Sequence, residues 1–474
     1  MLESFSPARR LIITGIAVSA IYLAGAILYW NGAESQTRTT REIFAWVTVL
    51  TLLPLFWRGW RLVSQAEDEG SALRILLIFA AIYCLIALVT TPYHSTDVFG
   101  YVNRGWQQFH YGQDPYVHTV SEISDRASDP MLREHWIYNP NPYGFVFAEI
   151  CYVACWLGQG NWIITLLVVK LVNVVAFAGT GFLLWSGAKL VGVEKPIRPL
   201  YLFLWNPIVI IHNLANGHND LLVGVLVLFA FWLALRRFYM WTIPVVMIGI
   251  VIKYAPLVIL PFAVVLVWRK TGFLRTALSC LISACVAALA SLPYIGDWRS
   301  FKLEDIRDNA VLIDNSLHSF LIHIYELMTK LAPQLAPFHD SVNAAIVMTI
   351  RGVVLLCLAW LFVRFCRRTD EQRFLKFSSI ALFLLIFVAS SKLNAWYVGM
   401  ILGPVLLLDA RYWLRRLVVL ISATETAGIT FLKQAYIVNY LLMMLLPQTY
   451  VWWKARRVSV EAHEAAPALL RRLS

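Results

Sequence analysis

A chain of 474 residues is long enough for two or three soluble domains, but 59% of this one is hydrophobic and only 14% is charged. Soluble domains carry about 25% charged residues, and a mean hydropathy of +0.66 places the chain among polytopic membrane proteins. The net charge of +12 does not mark a nucleic-acid partner, because the basic residues fall in short clusters between apolar runs, where topology signals stand.

The first apolar run, 11–30, follows Arg9 and Arg10 without a convincing cleavage site, so it reads as a retained helix rather than a removed signal peptide. Runs 43–57 and 73–91 come next, then a polar loop over 93–142. The run 143–157 is short for a crossing and reads as juxtamembrane or re-entrant. Apolar runs then cover 161–188, 199–215, 220–236, 241–268 and 274–293. A second polar loop, 294–343, precedes runs 344–363, 376–390, 396–409, 412–430 and 435–452. Inside 241–268 stands Lys253-Tyr254-Ala255-Pro256. Proline breaks the helix, so two half-length spans are expected to meet at Lys253.

Counting 241–268 as two passes and 143–157 as none puts the basic clusters, from Arg9/Arg10 to Lys454/Arg456/Arg457, on one side of the membrane. Only Arg38 and Arg41 fall opposite, and that side is cytoplasmic by the excess of Lys and Arg. The fold class expected is an all-α polytopic membrane protein of about 13 to 14 transmembrane helices. The whole chain, 1–474, reads as one membrane-embedded domain of the cell membrane with both termini cytoplasmic. Its two long loops, 93–142 and 294–343, are net acidic and face outward. The seven cysteines show no metal-ligand spacing and read as small buried hydrophobes.

With this topology the uncommon polar residues converge on the outer face. The first loop supplies Asp97, Tyr101, Asn103, Arg104, Asp114 and Tyr116, with Tyr143 at its end; the hairpin tip after 215 supplies His218, Asn219 and Asp220. Lys253 and Tyr254 come from the proline break, His318 from the segment Asp314-Asn315-Ser316-Leu317-His318, and Lys392, Trp396 and Tyr397 from a last outer turn. Ionisable residues at membrane depth are costly and mark function, so five such clusters on one side point to one extracytoplasmic cavity. Each also has a plain structural reading. Asp97 in His-Ser-Thr-Asp suits a helix N-cap, Asp114 before proline suits a turn, and His218-Asn219-Asp220 suits the cap of the next helix. Lys253 and Lys392 can snorkel, Trp396 and Tyr397 can be interfacial belt residues, and His318 can be a loop histidine.

Sugar transfer from a lipid-linked donor needs few groups. One carboxylate takes the proton of the attacking hydroxyl, cations and hydrogen-bond donors stabilise the departing phosphate, and aromatic faces hold sugars. Asp97 fits the base, with Lys253, His318 and Lys392 as donor-phosphate contacts. No GxxxxGK[ST] or GxGxxG motif follows a strand, and no HExxH or paired-aspartate motif occurs, so neither a soluble nucleotide nor a metal cofactor is indicated.

These residues carry a resemblance. The chain resembles the GT-C superfamily of integral-membrane glycosyltransferases, and within it the polyprenyl-phosphate-mannose-dependent α-mannosyltransferases of bacterial lipoglycan and cell-wall glycan assembly. The matching segments are Asp97-Val98-Phe99-Gly100-Tyr101, Gly112-Gln113-Asp114-Pro115-Tyr116 and Pro142-Tyr143-Gly144-Phe145. Later come Trp205-Asn206-Pro207, Gly217-His218-Asn219-Asp220, Lys253-Tyr254-Ala255-Pro256 and Asn394-Ala395-Trp396-Tyr397. The resemblance, over about 73–410, implies Asp97 as catalytic base, a polyprenyl-phosphate monosaccharide donor at Lys253, a glycan or glycolipid acceptor, and inversion at the anomeric carbon. Phe145 stands where the family has proline after Tyr-Gly. A secondary transporter predicts midplane charges and inverted repeats, and neither is visible. A lipid-linked glycan ligase or polymerase leans on arginines, in which the outer face is poor.

Overall fold

The computed structural model describes residues 6–32, 35–301, 316–431, 446–451 and Trp453. Asp314, Asn315 and the basic cluster Lys454/Arg456/Arg457 lie outside the described residues. Short polar side chains start the long helices, as the unpaired amides of a first turn require. Ser6 Oγ accepts from Arg9 N before α1 (Pro7–Leu28), Thr37 Oγ1 from Thr40 N before α2 (Arg38–Ser64), and Asp68 Oδ1 from Ser71 N before α3 (Glu69–Val89). Asn161 does the same for α6 (Trp162–Leu190).

Among the described residues, seven helical stretches are long and apolar enough to cross a membrane. They are α1, α2, α3, α6, Phe273–Tyr294, Pro333–Arg367 and Glu371–Ala389. The π-helical Val209–Ala215 and α8 (Asp220–Leu235) form an eighth as a pair bent by 109°. The expected count of about 13 to 14 spans took the short apolar runs as crossings, except for 143–157. In the structure several of the apolar runs form helices shorter than a full crossing. They include α5 (Phe145–Gly158), α9 (Thr242–Ile250), α10 (Leu260–Thr271) and α15 (Val398–Leu406). An apolar residue in lipid and one in a protein core read alike in sequence.

The break at Lys253 is where it was expected, between α9 and a 3-10 turn over Ala255–Ile259 that leads into α10. Its exposed carbonyls are satisfied by another helix end. Gly144 N donates to Ile252 O at 3.0 Å and Val146 N to Val251 O at 2.9 Å, so the C-terminus of α9 meets the N-terminus of α5. Irregular backbone survives at membrane depth only where protein satisfies it. The approach leaves no room for a side chain: a Cβ at Gly144 would lie 2.4 Å from Val251 O.

The polar loop 93–142 is organised by α4 (Asp97–Tyr111), which packs on α5. Asn103 Nδ2 donates to the carbonyls of Arg133 and His135, and its Oδ1 accepts from Arg133 N. Arg104 spreads its guanidinium over the carbonyls of Gly100, Trp136, Asn139 and Pro140. Trp106 and Tyr111 both donate to Asp129. The cysteines depart from expectation in part. Cys84, Cys151 and Cys155 are buried, whereas Cys280 and Cys285 are exposed on α11 (Phe273–Ser291) and Cys357 and Cys366 are half-buried on α13 (His339–Arg367).

Candidate active site

A cavity of about 530 Å³ lies where the broken elements end. Two π-helical segments feed it, and such segments recur at functional sites. Val209–Ala215 runs into the turn that carries Asn216 and His218, and Leu384–Ala389 runs from α14 (Glu371–Phe383) into the turn that carries Lys392. The second turn is clamped by Ser316, at the N-cap of α12 (Leu317–Leu331), whose hydroxyl donates to Ser391 O at 2.6 Å, and by Ser390, which donates to Lys392 O at 2.6 Å.

Asp97 is the first residue of α4, and the N-cap position belongs to Thr96. The carboxylate is therefore not spent on capping; it lines the cavity with 18% of its side chain exposed. Burial pushes its pKa up, Lys392 and Lys253 pull it back, and Asp220 adds to the rise. His218, fully buried, brings Nδ1 to 3.6 Å from Asp97 Oδ2 and stacks on Trp396 with ring centres 3.8 Å apart. Lys253 Nζ donates to Asp220 Oδ1 at 2.7 Å and lies 4.8 Å from the Tyr397 ring and 5.9 Å from that of Tyr143. Lys392 Nζ sits 5.5 Å from the Trp136 ring.

The loop that delivers Asp97 is held from below. Lys170, buried in α6, donates to Ala87 O at 2.5 Å, Leu88 O at 3.1 Å and Thr90 O at 2.6 Å, closing the C-terminus of α3. Asn216 Oδ1 then accepts from Tyr93 N at 2.8 Å and His94 N at 2.7 Å. The path from α3 to Asp97 is thus fixed at both ends.

Of the residues singled out in the sequence, Asp97, Arg104, Tyr143, Lys253, Tyr254, Lys392, Trp396 and Tyr397 line the cavity. His218, Asn219 and Asp220 form a buried layer beside it, in contact through Asp97, Trp396 and Lys253. Tyr101 packs edge-on against Tyr143, one layer further back. Asn103 and Arg104 are committed to loop carbonyls. Asp114 makes the turn: its Oδ1 accepts from Tyr116 N at 2.8 Å and its Oδ2 from the Ser300 hydroxyl at 2.5 Å. Tyr116 donates to Tyr143 O and packs edge-on against Tyr294. His318 is buried in the first turn of α12, outside the lining.

Sequence reasoning passed over Trp136, Asn139 and Arg351, which also line the cavity. Arg351 stands inside the run 344–363, where a lone arginine among apolar residues is itself a signal. Among the described residues, no group of three or more His, Cys, Asp or Glu side chains is arranged to hold a metal.

Residues 10–269, more than half of the chain, match the family model described as alpha-(1→6)-mannopyranosyltransferase, N-terminal domain. Three curated relatives are similar to it. Alpha-(1→6)-mannopyranosyltransferase A of Corynebacterium glutamicum is 26% identical over 240 residues, 49% of this chain and 48% of that one. The protein of the same name from Mycobacterium tuberculosis is 25% identical over 239 residues, 49% of this chain and 44% of that one. A probable alpha-(1→6)-mannopyranosyltransferase of Mycolicibacterium smegmatis is 26% identical over 211 residues, 43% of this chain and 35% of that one. The chain thus spans about half the length or less of the relatives it matches. No solved structure matches it. Arg351 and the 385–400 wall of the cavity come after the matched region.

Proposed function

The chain belongs to the alpha-(1→6)-mannopyranosyltransferase N-terminal-domain family, and on that premise we propose that it transfers a mannosyl group from a polyprenyl-phosphate donor to a glycan or glycolipid acceptor. The observation that carries this reading is the Asp97 carboxylate, free of a capping role, inside a cavity lined by both cationic and apolar side chains. Lys253, Lys392 and Arg351 supply the cations; Ala255, Leu385, Ile386, Ala389 and Met400 supply the apolar lining.

In this reading Asp97 accepts the proton of the acceptor hydroxyl as the oxygen forms its bond to the anomeric carbon. The bond from that carbon to the phosphate oxygen breaks, and polyprenyl phosphate leaves with the electron pair. Lys392 and Lys253 face the growing charge, where fixed cations in a dry site count for more than in water. A single displacement of this kind inverts the anomeric carbon. The site opens on the extracytoplasmic face, with both termini in the cytoplasm, as the distribution of Lys and Arg supports.

The test is transfer by the purified protein from polyprenyl-phosphate-mannose, against polyprenyl-phosphate-glucose, to a membrane glycolipid extract, with Asp97→Asn as control. Transfer of mannose that vanishes in the variant supports both the donor and the base. Transfer of glucose alone would move the donor assignment, and full activity of the variant would remove Asp97 from the role.

A further inference from the structure

Trp136 is the anomaly at the mouth of the cavity. Its φ of +59° puts it in the left-handed region, which costs energy for a residue with a Cβ and is rarely occupied by a bulky one. Such strain persists only where the surroundings enforce it, and here they do. Asn103 grips the carbonyls of Arg133 and His135 on one side, and Arg104 grips those of Trp136, Asn139 and Pro140 on the other. The indole N–H donates to Thr96 Oγ1 at 3.2 Å. Gly100 makes room: a Cβ there would lie 3.2 Å from Trp136 Cβ and Cδ1.

All this machinery holds a large aromatic side chain 38% exposed, lining the cavity rather than buried in the core. A tryptophan fixed in this way is a platform. Its ring offers an apolar face of the size of a pyranose, and the C–H bonds of a sugar, polarised by the attached oxygens, suit the negative face of an aromatic system as cations do. Its tether is Thr96, the neighbour of Asp97, and Asp97 lines the same cavity. The apolar lining that suits a prenyl chain comes from other elements, the 3-10 turn at Ala255, the 384–389 segment and α15.

We propose that Trp136 is the stacking platform for the acceptor sugar, and that the left-handed turn locked by Asn103 and Arg104 exists to present it. The proposal rests on the transferase reading above for the identity of the sugar. Trp136 is a binding residue for the acceptor, and Lys392 Nζ lies over the same ring, 5.5 Å from its centre, so a sugar on that face lies between the ring and the ammonium or displaces it.

The test uses the full chain in lipid nanodiscs, as wild type, Trp136→Ala and Trp136→Phe. Methyl α-D-mannopyranoside binding is measured by saturation-transfer NMR without donor, and transfer kinetics are measured with each substrate varied. The Ala variant is expected to bind the mannoside roughly tenfold more weakly and to raise the acceptor KM by a similar factor, with the donor KM within about twofold and Phe restoring most of both. Equal binding by the Ala variant, no mannoside binding by the wild type, or a rise confined to the donor KM would overturn the proposal. Failure of the wild type to consume any polyprenyl-phosphate sugar counts against the transferase reading, while the mannoside comparison still decides the platform.

Discussion

His218 Nδ1 lies 3.6 Å from Asp97 Oδ2, and the stack of His218 on Trp396 fixes the ring in that place. The separation is beyond hydrogen-bond length, so the imidazole constrains the carboxylate through shape and its ring dipole, and a shift of about half an ångström would close it to a hydrogen bond. Removing the base itself is the larger lesion. Asp97→Asn is expected to lower transfer by at least ~10²-fold while donor binding survives. His218→Phe keeps the stack, loses the ring nitrogens and should cost about tenfold in kcat. Steady-state kinetics and a thermal-unfolding scan of each variant check both; normal turnover by Asp97→Asn would exclude it as the base.

The acidic limb of the pH profile follows from the same carboxylate. Burial raises its pKa, opposed by Lys392 and Lys253, and the base works only when deprotonated. Activity should therefore rise with pH through a midpoint above the ordinary carboxylate range of about 4 and then level. Because Lys392 lowers the Asp97 pKa, Lys392→Gln takes that support away and should move the limb to higher pH. Profiles of kcat/KM for both proteins measure it. A limb that stays put, or moves to lower pH, would mean that Lys392 does not face the working carboxylate.

Lys253 and Asp220 behave as one unit. Asp220 is fully buried and Lys253 retains 21% exposure, so each depends on the other for its charge. Removing one partner of a buried pair costs about 3–5 kcal/mol, whereas replacing both by apolar groups costs far less. Lys253→Met should thus lower the midpoint of thermal unfolding more than Lys253→Met/Asp220→Leu does. Both should lose affinity for the donor if the ammonium meets its phosphate. A double variant that regains stability without donor affinity separates the two roles of the lysine.

What was legible beforehand follows from cost. Asp97, Lys253 and Lys392 stood out because charge at the end of an apolar run is expensive, and each lines the cavity. Lys253 also had a proline break beside it, and the break is there. Trp136 could not be found that way. It sits in a polar loop without periodicity, and only Asn103 and Arg104, some thirty residues earlier in the chain, make its position special. Both were singled out as cavity residues; Arg104 lines the cavity as well as building the turn, and Asn103 builds the turn. The half-length helices α9 and α10 were expected from the proline break, whereas α15 is shorter than its apolar run suggested, because apolar length alone does not fix where a helix stops.

The final prediction concerns how Asp97 is delivered. Lys170 donates to three carbonyls at the end of α3, and Asn216 accepts the amides of Tyr93 and His94 just beyond. Neither lines the cavity, so their work is positional. Asn216→Leu leaves those amides without their acceptor, at about 1–3 kcal/mol for each buried group left unpaired. Lys170→Met strips the α3 terminus and buries no replacement donor. Both variants should show faster hydrogen exchange over 91–97, with kcat reduced and the KM for donor little changed. If exchange in 91–97 stays at the wild-type rate while kcat falls, the loss must come by another route, and the anchoring of Asp97 through this turn is wrong.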